Sequence, residues 1–161
     1  VIDTSSLAVT ARLPLPGVPI RIAIQPDGGT ALVTCAGSSE LVAVDIASRK
    51  VRDRRKVDVP LAPGAADRPS ARLAPGSVLP VGLLVAPDGR SAYVSATMGD
   101  RVARYDLPAL GALRGIDVGG EPDGLASTPV LPKAVCHACV VDEEDGPALQ
   151  PDFAAPHQSG T

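Results

Sequence analysis

Three cysteines, two histidines and a short acidic run are the side chains of this chain best equipped for chemistry. Cys136-His137-Ala138-Cys139 is a C-x-x-C pair, a spacing that suits a thiolate metal clamp or a redox disulfide. As a zinc site, Cys136, His137 and Cys139 need a further ligand, and only His157, Asp142 or Glu143 lie near in sequence. Val140 stands where covalent haem attachment requires a histidine, which excludes that chemistry. A metal, a disulfide and no role at all stay open for the pair. Cys35, among Val33, Thr34 and Ala36, reads as a small core residue. The run Asp142, Glu143, Glu144, Asp145 lacks the alternating ligand spacing of a calcium loop and reads as solvated chain.

No catalytic nucleophile is paired with a base by spacing. There is no G-x-S-x-G elbow, and both histidines lie in the C-terminal segment. The basic cluster Arg49, Lys50, Arg52, Arg54, Arg55 and Lys56 has no interleaved aromatics for base stacking, and the net charge is −3. Nucleic acid is therefore not an expected partner. No apolar run reaches the roughly 18 residues of a spanning helix, so no membrane span is expected.

The elements that must position these residues come from a repeat. PIRIAIQPDGGTALV (19–33) and PVGLLVAPDGRSAYV (80–94) share an opening proline, an apolar strand and a Pro-Asp-Gly turn, and a third copy opens at Pro122. Pro80 to Pro122 and Asp3 to Asp45 are both 42 residues, whereas Pro19 to Pro80 and Asp45 to Asp106 are both 61. One insertion of 61 − 42 = 19 residues, after about Val57, accounts for both intervals, and its Pro-, Ala-, Gly- and Arg-rich composition reads as a surface loop.

Within a period, apolar residues alternate as in a strand with one buried face. Ile20, Ile22 and Ile24 fall on one side, with Arg21, Ala23 and Gln25 on the other. Second, third and fourth strands are expected over 31–36, 40–46 and 50–59, and again over 92–97, 101–107 and 113–118. Pro26 and Pro87 pre-set φ, Asp27 and Asp88 bond their own backbone, and Gly28 and Gly89 supply a positive φ, so each hairpin is specified locally. No segment carries a capped 3.6-residue apolar period, so little helix is expected.

Four strands in a period of about 42 residues is the signature of a propeller blade. The reading is an all-β β-propeller fragment of four-stranded antiparallel blades: a part-blade 1–18, a blade 19–59, an insertion loop of about 58–77, a blade 80–118 and the opening of a further blade 119–128. The repeat ends after Thr128, and 129–161 reads as a non-repeat, poorly ordered tail. The chain opens at Val1 inside a strand without an initiator Met, so the remaining blades are expected in a parent protein or by self-association. The basic cluster then lies on an outer edge strand, where charge blocks edge-to-edge pairing. Only 2% of residues are aromatic, leaving the core to Val, Leu, Ile and Ala.

The run VIDTSSLAVTARLPLPGVPIRIAIQPDGGTALVT, through Val1, Ile2, Asp3, Thr4, Pro19, Ile22, Ala23, Pro26, Asp27 and Gly28, resembles the repeat of the YVTN family of lactonase-like seven-bladed propellers. Pro80, Pro87, Asp88, Gly89, Ala92, Tyr93 and Val94 match in the next unit, and Val118, Gly119, Pro122, Gly124, Leu125 and Ala126 in the third. Leu32 departs from the family's usual Tyr. The resemblance implies a non-catalytic, extracytoplasmic or cell-surface scaffold that binds protein or carbohydrate with its blade loops. It also keeps open a lactonase-like hydrolase, or a propeller attached to an electron-transfer enzyme of cytochrome type. Arg21, on the innermost strand, would face the channel and is either the candidate anion ligand or a structural residue; the resemblance carries no catalytic residue across, and zinc is an expectation of the C-x-x-C spacing alone.

Overall fold

The computed structural model describes residues 1–128. The expectations for 129–161, including the poorly ordered tail and the Cys136-His137-Cys139 metal set, lie outside the described residues. Two four-stranded antiparallel sheets carry the described chain: β1 (Pro19–Ile24), β2 (Thr30–Cys35), β3 (Glu40–Asp45) and β4 (Lys50–Lys56), then β5 (Pro80–Val85), β6 (Ser91–Ala96), β7 (Arg101–Asp106) and β8 (Gly111–Asp117). Each sheet is a meander in chain order. The only helical pieces among the described residues are short 3-10 turns.

The first hairpin of each sheet closes as its residues dictate. Asp27 Oδ1 accepts the Gly29 amide at 2.9 Å and Asp88 Oδ1 accepts the Arg90 amide at 2.8 Å, while Gly28 and Gly89 sit at φ 72° and 73°. Asp45 works the same way at the β3–β4 turn, accepting the Ser48 amide at 2.7 Å and the Ser48 hydroxyl at 2.5 Å. Register shifts interrupt β3–β4 after Ala43 and β7–β8 after Arg104, positions related by the 61-residue offset.

The sheets stack face to face, and the core lies between them. Leu32, Leu41 and Ala43 of the first sheet meet Ala92, Val94, Ala96, Ala103 and Tyr105 of the second, with Leu83 and Val85 packed alongside. Tyr105 is the largest side chain buried there, and its hydroxyl donates to the Lys56 carbonyl across the interface at 3.1 Å. Burial first, and the Asp58 charge second, push this phenol well above its ordinary range.

Polar groups bind the sheets as well. Thr34, fully buried on β2, accepts the Arg21 amide at 3.2 Å and donates to the Val81 carbonyl of the next sheet at 3.1 Å. Ser95, 61 residues later, accepts the Gly82 amide at 2.6 Å and donates to the Asp123 carbonyl at 2.8 Å. One hydroxyl per repeat therefore ties the innermost strand of its own sheet to the innermost segment of the next. Gly82 is required by that approach, because a Cβ there would lie 1.8 Å from the Asp123 carbonyl oxygen.

Three features differ from the sequence reading. Ile20, Ile22 and Ile24 are 38%, 67% and 59% exposed, since no sheet among the described residues covers that face of β1; the equivalent Leu83 and Val85 are packed in the core. Residues 1–15 form a small hairpin with a single Ile2↔Val9 bridge rather than two full strands. The 58–77 insertion is more than a surface loop, because Ala62, Ala65 and Ala74 are buried with Ala36, Leu79 and Met98.

Gly82→Ala should lower unfolding free energy by about 1–3 kcal/mol in urea melts through overpacking, while Arg21→Ala at the equivalent position should stay within about 0.5 kcal/mol. Thr34→Val should cost about 1–3 kcal/mol, because the Val81 carbonyl loses its donor.

Candidate functional site

The antiparallel order puts the β2–β3, β6–β7 and β4–β5 connections at one end of the sheets and the two Pro-Asp-Gly turns at the other. At the connection end the insertion folds into two 3-10 turns, Ala65–Asp67 and Pro69–Arg72, and lies over the β2–β3 and β6–β7 turns. Arg68 grips Asp100 with both guanidinium nitrogens, Nη1 to Oδ1 and Nη2 to Oδ2 at 2.6 Å each. Asp100 also accepts the Glu121 amide at 2.9 Å, and the Ser70 hydroxyl donates to Glu121 Oε1. The Arg68 hydrogen bonds hold the Asp100 carboxyl below its ordinary range against a smaller opposing effect of burial. Ser77 donates to the Ala36 carbonyl and meets the Ser39 hydroxyl at 2.8 Å, pinning the other end of the insertion.

A cavity of about 250 Å3 opens beside this roof, lined by Pro60–Pro63, Gly99–Arg101, Asp117 and Val118. Its charged lining holds the Arg101–Asp117 pair, at 2.6 Å, together with Asp100. At the opposite end an open notch of about 370 Å3 lies between the two Pro-Asp-Gly turns, bounded by Gln25, Pro26, Asp27, Asp88 and Gly89.

Arg21 lies on β1 with its guanidinium 4.0 Å from the Asp123 carboxylate, both side chains more than half exposed. Its counter-charge in the structure is thus a carboxylate of its own chain. Cys35 is buried and free, its thiol pushed up by burial and then by Glu40, the opposite of an activated nucleophile. The basic cluster runs along edge strand β4. There Arg52 donates to the Pro108 carbonyl in the β7–β8 turn at 3.1 Å, and Lys56 donates to the Ser38 carbonyl at 2.6 Å and faces Glu40 at 3.8 Å. Among the described residues no three His, Cys, Asp or Glu side chains converge as a metal site.

No family model and no curated protein matches the chain. Solved structures do. Hydrazine synthase of Kuenenia stuttgartiensis aligns with TM-score 0.53 and 26% identity over 72% of this chain. Dihydro-heme d1 dehydrogenase NirN aligns at 0.52 and 16% over 71%, and a putative 6-phosphogluconolactonase of Bacteroides uniformis at 0.52 and 17% over 73%. The fold is that of a β-propeller. The two sheets are consecutive blades, and the chain spans only 27%, 21% and 32% of those three chains.

The blade-linking hydroxyls and the Arg68–Asp100 lock escaped the sequence reading. Thr34 and Ser95 were findable, since both fall at the 61-residue offset and both carry a hydroxyl. Arg68 sits in the insertion, where no second copy exists for comparison.

A group whose folded pKa is depressed contributes stability above its ordinary pKa, and that contribution is lost as pH falls through the lowered value. Thermal melts of the protein should therefore hold steady from neutral pH down to the ordinary carboxylate range and fall in stronger acid. Asp3 and Asp45, held low by Ser6 and Ser48, contribute to the same fall. Asp100→Ala should start lower at neutral pH and lose a smaller increment on acidification.

Proposed function

We propose that this chain is part of a non-catalytic YVTN-type propeller scaffold that acts outside the cytoplasm and binds a protein or carbohydrate through its blade loops. The observation that carries this reading is how the connection end spends its polar groups. Arg68, Asp100, Glu121, Ser70, Ser39 and Ser77 bond to one another and hold the insertion as a fixed roof over the blade turns. A rigid loop surface on a repeat scaffold suits recognition. The matches to the YVTN pattern at Pro19, Pro26, Asp27, Gly28 and their counterparts support the family and, with it, the compartment. Further blades, from the rest of a parent protein or from a second copy, would cover the exposed Ile20, Ile22 and Ile24 face; the equivalent face of the second blade is covered in that way by the first.

A second reading is favoured by the likenesses reported above, which include an enzyme named as a synthase, one named as a dehydrogenase and a putative lactonase. In that case the blades would belong to a lactonase-like hydrolase or would carry an electron-transfer partner. Arg21 on β1 would be the anion ligand there, competing with Asp123 for its guanidinium.

Two assays separate the readings. The purified protein should leave 6-phosphogluconolactone hydrolysis at the buffer rate and should retain members of a glycan or extracellular-matrix protein array. Hydrolysis above that rate, abolished by Arg21→Ala, would overturn the scaffold reading in favour of the second.

A further inference from the structure

We infer that the outer strand of the first blade, β4 with the residue before it, is a binding surface for a linear acidic polysaccharide bearing carboxylates or sulfates. The inference goes beyond the loop-binding reading, because the contact is made by the rim of the blade and not by its connections. Residues 49–56, RKVRDRRK, hold six cationic side chains and one anionic one, a net charge of +5 in a chain whose total is −3. All six cations are exposed.

Little of this charge is used inside the molecule. The Arg49, Lys50 and Arg54 side chains make no hydrogen bond or ion pair among the described residues. Arg55 stands 3.5 Å from Asp53 and Lys56 stands 3.8 Å from Glu40, both cations more than half exposed; such pairs are weak and leave the charge open to a ligand. Edge protection does not account for the cluster either. β8 is the outermost strand of the second blade and has the same free edge, yet its sequence, GALRGID, holds a single cation, Arg114. The second blade thus does with one cation what the first does with the five of KVRDRRK.

Geometry selects the partner. Arg55 lies across from Leu41, which faces the second sheet, whereas Arg54 lies across from Val42 on the opposite face, and Lys56 pairs with Glu40 on that same opposite face. The charges therefore project to both sides of the edge, along a strand about 20 Å long. A flat anionic membrane, or the broad cylinder of a nucleic-acid duplex, meets one side only. A single-stranded nucleic acid finds no aromatic ring to stack on, Val51 being the one apolar residue of the run. A slender polymer that follows the edge reaches both sides, and its carboxylates or sulfates accept the paired N–H groups of arginine. Anions carried on sugar rings also freeze fewer rotamers on binding than those of an acidic peptide. The remainder of the chain, at −8, repels the polymer and confines it to the strand.

The test is biolayer interferometry of the whole chain on immobilised heparin, which carries sulfates, and polygalacturonate, which carries carboxylates only. Dextran, a DNA duplex, poly-glutamate and phosphatidylserine vesicles are separate arms. At least one acidic polysaccharide should bind where neutral dextran does not, and its affinity should fall about tenfold or more between 50 and 200 mM NaCl. Heparin binding alone assigns the sulfate, and polygalacturonate binding alone the carboxylate. Lys50→Gln with Arg54→Gln should weaken binding by about tenfold with an unchanged thermal melt, since neither side chain has a partner to lose. Arg72→Gln with Arg90→Gln, exposed cations off the strand that make the same change in net charge, should leave the affinity unchanged. Retention of neutral glycans on an array, unaltered in Lys50→Gln with Arg54→Gln, bears on the loop-binding reading alone. No binding to either acidic polysaccharide, equal weakening by the two variant pairs, or tighter binding to the duplex, poly-glutamate or the vesicles would each overturn the inference.

Discussion

The hydroxyl that Thr34 and Ser95 each place between neighbouring blades is the contact on which the stacking of this chain depends. It satisfies two backbone groups at once: an amide on its own innermost strand and a carbonyl on the next. Those groups lie where the blades converge, partly shielded from water, where an unpaired amide or carbonyl is costly. The space left at the crossing differs between the two blades. Gly82 has no room for a Cβ, whereas Arg21 in the first blade reaches outward past the same hydroxyl toward Asp123. With so few aromatics in the chain, the interblade core is built mainly from Leu, Val and Ala, and Tyr105 is the one large anchor in it.

The repeat is more regular in backbone than in residues. Leu7, Arg49 and Leu110 share a positive φ, as do Val18, Leu79 and Glu121, and also Ser39 and Asp100; within each set the members are related by the 42- or 61-residue offset. A left-handed conformation costs a side-chain-bearing residue about 1–2 kcal/mol, so it persists only where the surroundings impose it. At the second set, the Val18 carbonyl accepts the Ala36 amide at 2.9 Å and the Leu79 carbonyl accepts the Thr97 amide at 3.2 Å. The innermost strand is thus entered through the same strained corner in each blade, under different side chains.

The two ends of the blade pair are built by different means. The Pro-Asp-Gly turns are short and closed by their own carboxylates, and they leave an open notch between blades. The connection end is roofed by the insertion, whose alanines fill the space between the β2–β3 and β6–β7 turns and whose Arg68 is locked to Asp100.

The sequence by itself determined the period, the position and length of the insertion, the Pro-Asp-Gly hairpins and the order of strands within each blade. These rest on local rules, two-residue alternation and turn chemistry, which neighbouring residues carry between them. Strand limits in the two sheets follow within three residues, the largest difference being the end of β4 at Lys56 where 59 was expected. Whether β1 is buried at all was decided only by stacking. Ile20, Ile22 and Ile24 carry the pattern of a buried face yet stand open, because burial is a property of the neighbouring sheet and not of the strand. The Arg68–Asp100 lock, 32 residues apart, and the juxtaposition of Gln25 with Asp88 likewise exist only once one blade is laid on the next and the insertion is folded over both. Such contacts join positions that no local rule connects, which is why the tertiary structure alone supplied them.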